Sequence, residues 1–161
     1  MLNARLVKFA CGTETIAGFL ALPSHPGPHR AIIAIHEWWG LTAWVKEQAM
    51  NLAANAYVVL ALDLYQGTVA TTPSQARKLK RDLLEERAIR AMIGAVDYLA
   101  CRSDVDPQHI GSLGWSMGGA LALQLAINEP RLAACVVNYG SLPTKLADLR
   151  KINARMLGIF A

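Results

Sequence analysis

The chain has 161 residues, 53% of them hydrophobic and 17% charged, the balance of one globular domain with a real core rather than of a disordered segment. Its formal charge of +4 and pI close to 9.2 come from scattered Lys and Arg without a nucleic-acid motif, and no apolar run reaches the roughly 18 residues of a membrane span. No nucleic-acid or membrane partner is therefore expected, and three separated cysteines (Cys11, Cys101 and Cys135) with no C-x-x-C pair fit a reducing, cytoplasmic compartment.

Arg5 and Lys8 precede an apolar stretch at 16–22 as in a secretion signal, but Glu14 interrupts it and no small-residue cleavage site follows. Residues 5–10 and 15–22 read instead as two antiparallel strands joined at Gly12. A Pro-rich loop at 23–29 leads into 31–36, a continuous apolar run of the kind found in parallel strands covered on both faces. Residues 42–55 form a helix with Val45, Ala49, Leu52 and Ala53 on one face, and 57–62 a second buried strand. From 73 to 100 the pattern is helical, clearest where Ile89, Met92, Ile93, Val96 and Ala100 recur at helical spacing. Asp106-Pro107 marks a turn before a strand at 110–115; a helix at 117–128 stops near Pro130, and strands follow at 132–137 and 156–160. Strands alternating with long helices predict an α/β fold, a mostly parallel sheet with helices on both faces, as a single domain over 1–161. Ligands of such sheets gather beyond the carboxyl ends of the strands, where Glu37, Asp63, Ser116 and Tyr139 fall.

Gly114-Trp115-Ser116-Met117-Gly118 matches G-x-S-x-G. A buried strand runs into it and a helix runs out, the setting of the nucleophile elbow of α/β-hydrolases. The turn needs small neighbours, which Gly114, Gly118 and Gly119 supply, and a helix N-terminus beneath the serine favours the charge that develops in acyl transfer. A serine hydroxyl needs a histidine base oriented by an acid, and in this fold both follow the serine. After Ser116 come only the acids Glu129 and Asp148, and no histidine; His25, His29, His36 and His109 all precede it. His36-Glu37-Trp38-Trp39-Gly40 opens like the zinc motif H-E-x-x-H, but Gly40 replaces the second histidine and a strand rather than a helix leads into it, so no metal is expected. His25 and His29 read as surface residues, His36 as structural at a strand end, and Asp63 as structural or supporting. Trp38 and Trp39 either line an apolar acyl pocket or pack the loop. Arg77, Lys78, Lys80 and Arg81 read as a solvated helix face.

Five segments carry a resemblance: His36-Glu37-Trp38-Trp39-Gly40-Leu41, Asp63-Leu64-Tyr65, Val105-Asp106-Pro107, Met117-Gly118-Gly119 and Asn138-Tyr139-Gly140. In that order they resemble the dienelactone hydrolase family, cofactor-free hydrolases of small lactones and esters. The resemblance implies that the Trp38 and Met117 N–H groups form the oxyanion hole and that Glu37 sits beside the nucleophile as a second catalytic residue. Trp39, Tyr139 and an arginine, Arg77 or Arg81, complete the candidate set as substrate contacts, the arginine because relatives that take acidic substrates use one from this region. This chain departs from the family in carrying Ser116 where cysteine is usual, which shifts the expectation from dienelactones toward plain esters. Relatives continue past a strand like 156–160 into the acid and the histidine. The expectation is thus a hydrolase domain lacking its last strand and helices, itself a poor catalyst and able to self-associate through an exposed sheet edge. The alternative is a non-catalytic fragment or binding module on the same fold.

Overall fold

The computed structural model describes residues 3–142 and 145–160; Met1 and Ala161, the ends of the ranges considered above, lie outside them. Strands β1 (Asn3–Cys11) and β2 (Glu14–Leu22) form the expected antiparallel hairpin, with Gly12 at φ 59° in the turn. Next come β3 (His29–Ile35), α1 (Ala43–Ala54), β4 (Tyr57–Asp63), α2 (Pro73–Asp82) and α3 (Glu85–Ala100). The chain then runs through β5 (Val105–Trp115), α4 (Met117–Asn128), β6 (Ala134–Asn138), α5 (Leu146–Leu149) and β7 (Arg155–Ile159). The seven strands lie in the order β1-β2-β4-β3-β5-β6-β7, with β4, β3, β5, β6 and β7 mutually parallel and β2 antiparallel to β4.

Strand side chains alternate between the two faces and so build two cores. Ile33, Ile35, Leu60 and Leu62 pack with Met92 and Leu99 of α3 and with Leu123 and Leu125 of α4. Ala34, Val59 and Ala61 meet Val45, Ala49 and Ala53 of α1, small residues on both sides that let this helix lie close to the sheet. Burying each large aliphatic side chain contributes about 1.5–3 kcal/mol, so the first, larger cluster dominates stability. No helix among the described residues is long and apolar enough to cross a membrane.

Three local features differ from the sequence pattern. The helical stretch 73–100 breaks at Leu83 and Leu84, both extended (ψ 108° and 126°). Leucine has no local preference for such a break; Leu83 packs against the larger core, while Leu84 is exposed. Asp106-Pro107 does not stand outside the strand: β5 starts at Val105, which pairs with His29, whereas Ile110 pairs with Ala31. Residues 106–109 bulge against Arg30 alone, held by Asp106, whose carboxylate accepts from Gln108 N–H (3.0 Å) and contacts His109 Nδ1 (2.7 Å). The short helix α5 had no sequence signal.

Candidate active site

The carboxyl ends of β3, β5 and β6 lie side by side, and three loops leave them. At the end of β5, Ser116 has φ 54° and ψ −115°, a left-handed conformation rare for a residue with a Cβ. Glycine packing enforces it. A Cβ on Gly114 would overlap the Gly118 carbonyl, and one on Gly118 would overlap the Ile35 carbonyl. Ser116 occupies the N-cap position of α4, where a serine hydroxyl ordinarily accepts from the first turn, yet its side chain makes no such bond. Its own N–H donates to the Asn138 carbonyl (2.9 Å), which ties the elbow to β6.

The loop after β3 is fixed by the loop after β4. His36 is fully buried; its Nδ1 lies 2.6 Å from the Glu37 carbonyl and its Nε2 3.2 Å from the Leu64 N–H. A carbonyl can only accept and an amide can only donate, so the ring is the neutral tautomer protonated at Nδ1. Burial holds its pKa below 6.5, against the raising influence of the Glu37 carbonyl and of Asp63. The Trp39 carbonyl accepts from Ala70 N–H (2.8 Å), and Gly40, at φ 95°, leaves room for the Thr68 carbonyl. Asp63 accepts from Tyr65 N–H (3.0 Å) and Gly67 N–H (2.5 Å), a structural role in closing the turn beneath this loop. Tyr65 donates from its hydroxyl to Met117 Sδ (3.4 Å), and burial pushes its pKa up to about 12.

A cleft of about 370 Å³ opens over the elbow. Ser116, Met117 and Leu121 line one wall, Leu83, Lys80 and Glu85 another, and Tyr139 and Ser141 a third. Tyr139 Oη donates to Glu37 Oε1 (3.2 Å), which ties Glu37 to this wall of the cleft. The N–H groups of Trp38 and Met117 donate to no protein acceptor among the described residues. Trp39 stacks edge-on against Trp38, centroids 5.2 Å apart, and Trp38 packs against the large core. A separate groove of about 480 Å³ lies at the amino ends of the strands, lined by Arg30, Tyr57, His109 and Arg155. Ser112 in this groove is buried and donates to the Ala122 carbonyl.

Of the residues at the strand ends, Ser116 and Tyr139 line this cleft with Met117, Glu37 meets it through the Tyr139 hydroxyl, and Asp63 lines a separate depression. Arg81 does not line the cleft: its side chain is 73% exposed and pairs with Asp82, and Lys80 takes its place there. Neighbouring helix positions point 100° apart, and a run of four cations does not reveal which of them faces inward. Among the histidines, His29 is buried rather than at the surface, with Nε2 3.0 Å from the His25 carbonyl. None of the four lines the cleft. Glu85, Leu83 and Ser141 carried no sequence signal; each reaches the cleft only through the break between α2 and α3 or the turn after β6.

A family model described as dienelactone hydrolase matches residues 16–161. The chain is 32% identical to "Protein usf" of Aquifex pyrophilus over 96% of its own length and 67% of that protein. It is 30% identical to a candidate carboxymethylenebutenolidase of Aquifex aeolicus with the same coverage. Among solved structures it superposes with TM-score 0.84 and 26% identity on a dienelactone hydrolase-like promiscuous phosphotriesterase from metagenomic libraries, covering 99% of this chain and 69% of that one.

Proposed function

Because the chain belongs to the dienelactone hydrolase family, we propose that it is built to hydrolyse small carboxylic esters or lactones with Ser116 as the nucleophile. The observation that carries this reading is the elbow. A serine with left-handed backbone heads a helix, keeps its hydroxyl free of capping, and faces a cleft. In this scheme Ser116 Oγ bonds to the substrate carbonyl carbon and the bond to the leaving alkoxide breaks. The serine proton passes to a base and the departing oxygen takes one up; water then cleaves the acyl-serine ester and releases the acid. Trp38 and Met117 N–H groups receive the carbonyl oxygen as it becomes negative, aided by the N-terminus of α4. Glu37 is the carboxylate beside the cleft, and Trp39 contacts the substrate. No cofactor enters the scheme.

The base is the weak point. His36 has both ring nitrogens engaged, and no other histidine of this chain lines the cleft. That arrangement favours a second reading, a binding module on a hydrolase fold. The two readings separate in an assay of p-nitrophenyl acetate hydrolysis against a Ser116→Ala control. We expect slow but Ser116-dependent turnover, about 10⁶ below a complete triad in kcat, with a residual of about 10³–10⁴ over water from binding and the oxyanion hole. Turnover unchanged by Ser116→Ala selects the binding module.

A further inference from the structure

We propose that Tyr139 is a positioning residue for acyl transfer, holding the Glu37 carboxylate at the rim of the Ser116 cleft. The inference rests on the reading of Ser116 and Glu37 as catalytic and adds a residue to it.

Two non-glycine residues of the cleft have left-handed backbone, Ser116 and Tyr139 (φ 42°). Such a conformation is costly for a side chain as large as tyrosine and persists only where surroundings over-determine it. Here they do. Tyr139 N–H donates to the Ile159 carbonyl (2.7 Å), and a Cβ on the next residue, Gly140, would come within 2.5 Å of Ala120 N. The chain leaving β6 is therefore pressed against the first turn of α4 and must bend at Tyr139. The bend does not serve to bury Tyr139, which is itself 51% exposed. What the bend achieves is reach: the hydroxyl crosses to Glu37, 102 residues away in sequence, and donates to Oε1 at 3.2 Å. Among the described residues this phenol is the one hydrogen-bond partner of the Glu37 carboxylate, and Oε2 has none. Partial burial and the charge of Glu37 raise the Tyr139 pKa above its ordinary value of 10.0, which keeps the hydroxyl protonated as a donor through the neutral range. A neutral donor orients the carboxylate without cancelling its charge, as an arginine would.

The test is a double-mutant cycle read on acetylation of Ser116 by p-nitrophenyl acetate, followed by intact mass. In that step the Ser116 oxygen bonds to the acetyl carbon, p-nitrophenolate leaves, and the hydroxyl proton passes to solvent. Tyr139→Phe should lower the limiting acetylation rate about tenfold, the scale of one hydrogen bond to a charged group, with unchanged half-saturation and melting temperature. In a Glu37→Gln background Tyr139→Phe should have no further effect. The proposal is overturned by an equal loss in both backgrounds, by no loss, by a Glu37→Gln variant that acetylates normally, or by a change confined to half-saturation, which marks a substrate contact. If the Ser116→Ala control is acetylated as fast as the parent chain, the serine reading itself fails, a result distinct from all of these.

Discussion

His36 is a base that has been taken out of service. Its Nδ1–H is given to the Glu37 carbonyl and its Nε2 accepts from Leu64, so it fastens the Trp38 loop to β4 instead of serving Ser116. Below pH 6.5 the unfolded chain takes up a proton at this position that the folded chain resists, because burial lowers the folded pKa. Stability should therefore be full above that pH and fall as pH drops through it, until folded His36 itself protonates. Urea midpoints at pH 7 and pH 5 should differ more for the parent chain than for His36→Gln; equal differences remove the assignment. The glycine collar is equally specific. Gly118→Ala places a methyl on the Ile35 and His36 carbonyls and should cost about 1–3 kcal/mol or more in chemical denaturation. At this scale the sequence was legible where chemistry is local: G-x-S-x-G announces its turn because the turn itself demands the glycines. Contacts such as Tyr139 to Glu37 were not, since no pattern within one segment encodes a bond spanning 102 residues.

The strand at 31–36 announced itself by a continuous apolar run, and α4 was bounded correctly by the elbow and Pro130. Patterning specifies burial, and burial is what these elements share. It failed where tertiary contacts override local preference: Leu83 and Leu84 interrupt a helix that their own propensity would continue, and the 106–109 bulge depends on Arg30 of a neighbouring strand. The loop joining β3 to α1 illustrates how elements set the site. Its position is fixed by the β4 loop through Trp39, Gly40 and His36, so disturbing that seam should move the Trp38 N–H without touching the serine. Gly40→Ala, with φ 95° and the Thr68 carbonyl where its methyl would go, is expected to slow Ser116 acetylation at least about tenfold. Acetylation at the parent rate would show that this loop supplies no oxyanion donor.

At the scale of the whole molecule the sheet has unlike margins. Among the described residues β7 pairs with β6 alone, and all five of its residues are exposed, including Met156, Leu157 and Ile159. Leu142, Leu146, Leu149 and Phe160, in the segments that precede and follow β7, are exposed large hydrophobic residues as well. An apolar strand with open hydrogen-bonding groups is a template for another strand. Concentration-dependent self-association is therefore expected in sedimentation velocity, and Leu157→Lys should weaken it; a parent chain that stays monomeric at high concentration contradicts this. The same strand has a second consequence. Its Ile159 carbonyl is the acceptor that keeps Tyr139 bent over the cleft. Fraying of β7 therefore releases the phenol, and whatever clamps its outer edge tightens it. The amide of Tyr139 then works as a gauge set inside the cleft: its rate of hydrogen–deuterium exchange reports how firmly the far border of the sheet is held.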